Sequence, residues 1–143
     1  MVEKADVLIP KGRKINEIIL HCSASDSPEH DDIRVIRLWH LKRGWSDVGY
    51  HYFIRKNGVL EKGRDEKIVG AHCKGRNRKS IGICLHGLEK DKFTKEQFRT
   101  AGKLVGILLD KYNLTKDDVS PHNKYSSKSC PVYNIKEVLK YSK

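Results

Sequence analysis

Cysteine is scarce in this chain. Its four thiols, Cys22, Cys73, Cys84 and Cys130, form no C-x-x-C pair, which excludes both a zinc ribbon and a thioredoxin-type motif. No apolar run reaches the length that spans a bilayer, and no secretion leader is expected. The expectation is therefore synthesis in a reducing cytoplasm with free thiols, and a target beyond the membrane would require another route across it. Internal repeats, low-complexity tracts and an evident linker are also lacking. The 143 residues accordingly read as one folded domain with a core large enough to hold without staples. An aromatic-rich stacking motif and a recognition-helix pattern are missing too, which ranks nucleic acid last among partners.

Acidic residues are outnumbered. Eighteen Asp and Glu face 29 Lys and Arg, a net charge of +11 that attracts polyanions in general, anionic wall polymers included. The basic residues are spread along the chain and form no single block. Residues 1–14 carry four of them with little periodicity and read as a basic N-terminal arm, loosely packed or mobile, ahead of a domain over residues 15–143.

The domain alternates strand and helix patterns. Ile15 to His21 is a short apolar run suited to a buried strand. Asp31 or Asp32 can cap a helix that Gly44 ends, with Val35, Leu38 and Trp39 expected on its inner face. Gly49 to Arg55 reads as a strand with Tyr50, Tyr52 and Ile54 on one face and His51 and Phe53 on the other. Lys56-Asn57-Gly58 turns it into a hairpin. A long polar loop over residues 63–79 precedes a second buried strand, Ser80 to Leu85. Thr94 and Gln97 form a capping box for the longest helix, and Asn134 with Glu137 is expected to cap a short terminal one. The fold class that follows is mixed α/β of the α+β type, a central mixed β-sheet flanked by helices.

The chemistry concentrates in the loop from Pro121 to Pro131. It offers an imidazole at His122, a thiol at Cys130 and a cation, Lys128, two residues before the thiol. A third ligand from elsewhere would complete a zinc site that keeps one position for water, the catalytic arrangement. His21, at the carboxyl end of a buried strand, stands where α/β sheets often present ligands. Taken singly, His21 reads equally as a hydrogen-bonded structural histidine, Tyr50 as core and Lys128 as a solvated cation. Cys22 is expected to point away from its ligand neighbour, by strand alternation.

Several ordered motifs share one pattern. They are His21-Cys22-Ser23-Ala24, Trp39-His40, Gly44-Trp45, Asp47-Val48-Gly49-Tyr50-His51, Gly63-Arg64-Asp65-Glu66, Val69-Gly70-Ala71-His72, Lys74-Gly75, Ser80-Ile81-Gly82 and Lys128-Ser129-Cys130-Pro131. In these the chain resembles the zinc-dependent N-acetylmuramoyl-L-alanine amidases of type 2, most of all the small phage lysozymes (endolysins) of that family. Peptidoglycan recognition proteins share the fold. The resemblance implies a hydrolase that cleaves the amide between N-acetylmuramic acid and L-alanine in peptidoglycan. It implies one Zn2+ per chain on His21, His122 and Cys130, with Tyr50 and Lys128 catalytic. His72, Trp45 and Asn77 are the substrate-groove candidates it suggests.

Two other readings stand beside this one. A non-catalytic peptidoglycan-binding module would be expected to lose the Cys130 thiolate, which this chain keeps. An amidase that also binds and regulates RNA polymerase is compatible with the basic arm and the net charge. A monomer is expected, since no exposed apolar stripe calls for a partner.

Overall fold

The structure, a computed structural model, describes residues 13–142. Most of the expected basic arm lies outside the described residues. Arg13, at its described end, is anchored: its guanidinium donates to the carbonyls of Glu66 (2.9 Å), Asn77 (3.2 Å) and Ser80 (2.9 Å).

Five strands among the described residues form one sheet. They are β1 (Glu17–Cys22), β2 (Tyr52–Ile54), β3 (Leu60–Lys62), β4 (Ser80–Leu85) and β5 (Val119–Pro121), in the order β3-β2-β4-β1-β5. β1 runs parallel to β4 and β5, β2 runs parallel to β4, and only the β2–β3 hairpin is antiparallel. β1 and β4 are buried along their whole length, as their near-continuous apolar sequences require of central parallel strands. The expected mixed sheet flanked by helices is what forms.

Helix α2 (Lys95–Tyr112) covers one face. Thr94 accepts from the Gln97 N–H, and the Gln97 side chain accepts from the Thr94 N–H, completing the expected capping box. Val105 and Leu108 pack there on Ile18, Leu20, Ile81, Ile83 and Leu85, and the short α3 (Lys136–Leu139) adds Val138. Helix α1 (Ile33–Lys42) covers the other face, where Ile33 and Ile36 meet Val48, Phe53 and Cys84. None of the described helices is long and apolar enough to cross a membrane.

Three local expectations need correction. The buried side of α1 is Ile33, Ile36 and His40, whereas Leu38 is 56% exposed and Val35 and Trp39 are only half-buried. Two stripes at helical spacing exist in that segment, and periodicity alone does not say which meets the sheet. The strand expected from Gly49 begins only at Tyr52, so alternation does not extend back to Tyr50. Tyr52 faces α2, yet Tyr50 packs on the α1 side with Phe53 and Cys84. At α3, Asn134 does accept from the Lys136 N–H, but Glu137 makes no reciprocal capping bond to it; its own N–H goes to the Asn134 carbonyl.

Candidate active site

Strand register brings the first two site residues together. In the parallel pairing of β1 with β5, Leu20 lies opposite Pro121. The next residues, His21 and His122, therefore emerge side by side at the carboxyl edge of the sheet, with ring centroids 4.5 Å apart. His21 is buried on the α1 side, because Leu20 and Cys22 take the α2 side.

The loop that follows is stitched back onto the end of β1. The Cys22 N–H donates to Cys130 Sγ at 3.0 Å, and the Tyr133 hydroxyl donates to the His21 carbonyl at 2.9 Å. Glu17, the one charge in the six-residue β1, holds the loop's other half. Its buried carboxylate accepts from Arg76 at 2.9 Å and from the Tyr125 hydroxyl, while the Arg76 guanidinium lies 4.3 Å from the Tyr125 ring. As a result, one potential ligand atom each from His21, His122 and Cys130 lies within 4.8 Å of the others.

The local chemistry suits a metal ion. His122 Nδ1 is buried and has no hydrogen-bond partner, an arrangement that costs free energy unless something accepts its lone pair. Two imidazoles and a sulfur are a donor set for a borderline divalent cation. Burial holds His21 well below the ordinary histidine range, with His72 and His122 adding to the effect. Burial and the Lys128 cation lower His122 as well. Both rings are thus neutral, the ligand form. The neighbouring Cys22 thiol raises Cys130, with burial adding to it, and Cys130 in turn brings Cys22 down to about 7. As strand alternation predicts, Cys22 turns away from His21 to the α2 side, where it lies near the Cys130 thiol.

Around this point lies a groove. A cavity of about 610 Å³ and an adjoining one of about 200 Å³ share His40, Arg43, Tyr50, His122 and Lys128 as lining. The Tyr50 ring stands 5.1 Å from that of His21, and burial pushes its hydroxyl well above the ordinary tyrosine range. Lys128 is exposed at the groove. Trp45, Asn77 and His72 all line the larger cavity. The Asn77 side-chain oxygen already accepts from the His72 and Cys73 N–H groups. His72 is 8% exposed with both ring nitrogens engaged, so it forms a wall and has no nitrogen free for substrate.

Some contributors stood in the sequence only within a motif, as His40 did, or were not singled out at all. His40 accepts from the Gly49 N–H at 2.7 Å and so fixes the entry to Tyr50, and Glu17, Arg76 and Tyr125 clamp the loop. A lone acid in an otherwise apolar strand was the available signal for Glu17, since buried carboxylates are almost always paired. Ser80 stood in the sequence only as part of the Ser80-Ile81-Gly82 motif, with nothing to mark its bond to His72.

The sequence profile described as N-acetylmuramoyl-L-alanine amidase matches residues 11–133. The chain is 38% identical over 138 residues to the endolysin of Escherichia phage T7, covering 92% of this chain and 90% of that one. It is 41% identical over 125 residues to the endolysin of Enterobacteria phage T3, covering 83% and 82%. Among solved structures, the N-acetylmuramoyl-L-alanine amidase LysC from Clostridium intestinale superposes with a TM-score of 0.79 at 31% identity, over 88% of this chain and 83% of that one. Drosophila PGRP-LB superposes with a TM-score of 0.70 at 27% identity, over 83% and 75%. Sequence and fold agree over most of the length, and the chain belongs to the N-acetylmuramoyl-L-alanine amidase family.

Proposed function

We propose that this chain is an endolysin whose amidase reaction, hydrolysis of the bond between N-acetylmuramic acid and L-alanine in peptidoglycan, depends on one zinc ion held by His21, His122 and Cys130. The observation that carries the reading is the meeting of these three donors, from two strand ends and a loop, beside a buried His122 nitrogen that lacks any partner. The phage endolysins at 38% and 41% identity support the biological setting.

Zinc in such a site activates water and polarises the scissile carbonyl. The protein supplies the rest. His21 and His122 bind as neutral imidazoles and Cys130 as thiolate, its sulfur also accepting the Cys22 N–H. Tyr50, kept protonated by burial, donates its hydroxyl to the oxygen on which negative charge builds. Lys128 brings a cation to the same side. Arg43, Lys74 and Lys128 line the larger cavity and no acidic residue does, which suits a peptide stem bearing carboxylates; Trp45 and Asn77 complete the wall. A purely binding module needs no complete donor set, and here all three donors are present.

Metal analysis with a wall-digestion assay tests the reading. The unmodified protein should carry about one zinc and release amino termini from peptidoglycan, and chelation should abolish turnover. His122→Ala and Cys130→Ser should lose both metal and activity. Full turnover by metal-free Cys130→Ser would refute the zinc mechanism.

A further inference from the structure

A chain of hydrogen bonds runs from His21 through His72, in the wall of the groove, to Ser80. His21 Nε2 lies 2.8 Å from His72 Nδ1, His72 Nε2 lies 3.1 Å from Ser80 Oγ, and Ser80 Oγ lies 2.8 Å from the Arg76 carbonyl. Its direction can be deduced from the far end. A carbonyl only accepts, so the single Ser80 proton goes to Arg76, and Ser80 Oγ must accept from His72 Nε2–H. A neutral His72 protonated on Nε2 has its lone pair on Nδ1. His21 must then donate from Nε2–H, which leaves its own lone pair on Nδ1.

We propose that His72, oriented by Ser80, is the positioning residue that fixes His21 as its Nε2–H tautomer and so presents Nδ1 as the metal-binding nitrogen. This rests on the zinc reading above and adds to it a residue that acts through a ligand without being one. Partners of this kind set the tautomer and ring orientation of a histidine ligand and raise its basicity.

The surroundings are built around this ring. His72, Ser80 and His21 are 8%, 0% and 1% exposed, so water does not compete for the bonds. The His72 ring lies in a slot between two glycines. A Cβ at Gly82 would come within 2.5 Å of its Cγ, and one at Gly70 within 2.8 Å of its Cδ2. The His72 and Cys73 N–H groups both donate to Asn77 Oδ1 at 2.9 Å, which holds the backbone that carries the ring. The relay ends on the carbonyl of Arg76, whose side chain grips Glu17 and Tyr125, so ligand orientation and loop position share one anchor.

The test uses two variants of matched shape. His72→Asn keeps an acceptor close to the place of Nδ1, whereas His72→Leu has the same branching and no acceptor. Zinc affinity of the full chain, measured by competition with a chelating dye, should fall about 10- to 100-fold in His72→Leu and about threefold or less in His72→Asn. Nitrogen-15 imidazole spectra of the metal-free parent should show His21 protonated on Nε2, and Ser80→Ala should turn that into a mixture of tautomers. Equal zinc affinity in the Asn and Leu variants, or His21 protonated on Nδ1 in the parent, would overturn the proposal. A parent that binds no zinc yet shows the Nε2–H spectrum would sink the zinc reading and leave the relay standing. If His72→Leu fails to fold, the parent spectrum and Ser80→Ala decide.

Discussion

Tyr50 stands close enough to His21 for ring contact, 5.1 Å between centroids, and desolvation holds its hydroxyl in the protonated form. A phenol so placed is a donor and a poor base. Tyr50→Phe should therefore keep zinc binding and secondary structure while turnover falls by roughly 10²–10³, the usual cost of removing one donor to a developing oxyanion. Lys128→Ala should fall in the same direction, and zinc content measured beside turnover separates this from loss of the metal. A Tyr50→Phe protein with unchanged turnover would remove the hydroxyl from the mechanism. The sequence exposed Tyr50 and Lys128 only through their place in motifs, because neither residue type carries a chemical signature when isolated. His72 shows the converse: its motif suggested a groove residue, and it does line the groove, but only the structure reveals that both its ring nitrogens are engaged within the protein.

At the scale of elements, α2 and α3 meet through small residues. A Cβ at Gly102 would stand 2.6 Å from the Val138 carbonyl and 2.4 Å from Tyr141 Cβ, so α3 sits almost directly on the α2 backbone there. Gly102→Ala gains about 1 kcal/mol of helix propensity, but overpacking against backbone costs about 1–3 kcal/mol. The clash should win by up to about 2 kcal/mol, lowering the urea midpoint. A stabilised Gly102→Ala protein would show that α3 does not pack as described. The capping box of α2 and the Asn57-Gly58 hairpin were legible in sequence, since both depend on residues three or fewer apart. The inward face of α1 was not, because Ile33, Ile36 and His40 compete with Val35, Leu38 and Trp39 and only the sheet selects between them. β5 was missed for a related reason: three residues give too short a pattern, and its existence depends on pairing with β1.

For the whole molecule, the imidazoles dominate the response to acid. His40 and His51 are both buried and both drawn down to about 4 by burial, and His21 and His72 lie well below the ordinary value for the same reason. Between about pH 6.5 and pH 4 the unfolded chain binds protons that the folded chain refuses, so stability must decrease as pH falls through that window. Each such histidine contributes about 1.4 kcal/mol per pH unit there. Urea titrations of the metal-free protein should show a marked loss of unfolding free energy between pH 7 and pH 4.5, restored on return to pH 7. A flat profile would mean that these rings accept protons without unfolding.

By itself the sequence determined the parts whose cause is local: the two buried strands, the hairpin, the capped long helix, the mixed α/β class, and the donor types available at His21, His122 and Cys130. Local causes act through neighbours along the chain, where side-chain periodicity and turn chemistry are read directly. Tertiary structure alone decided which stripe of α1 faces inward, that Tyr50 leaves the face of Tyr52, that Arg13 is anchored, and that a Leu20–Pro121 register sets two distant histidines side by side. It also decided that His72 turns inward to Ser80, because that bond exists only once the residue 63–79 loop has closed over β4. Each of these depends on groups far apart in the chain competing for one burial site or one hydrogen bond, and that competition is resolved only when the sheet assembles.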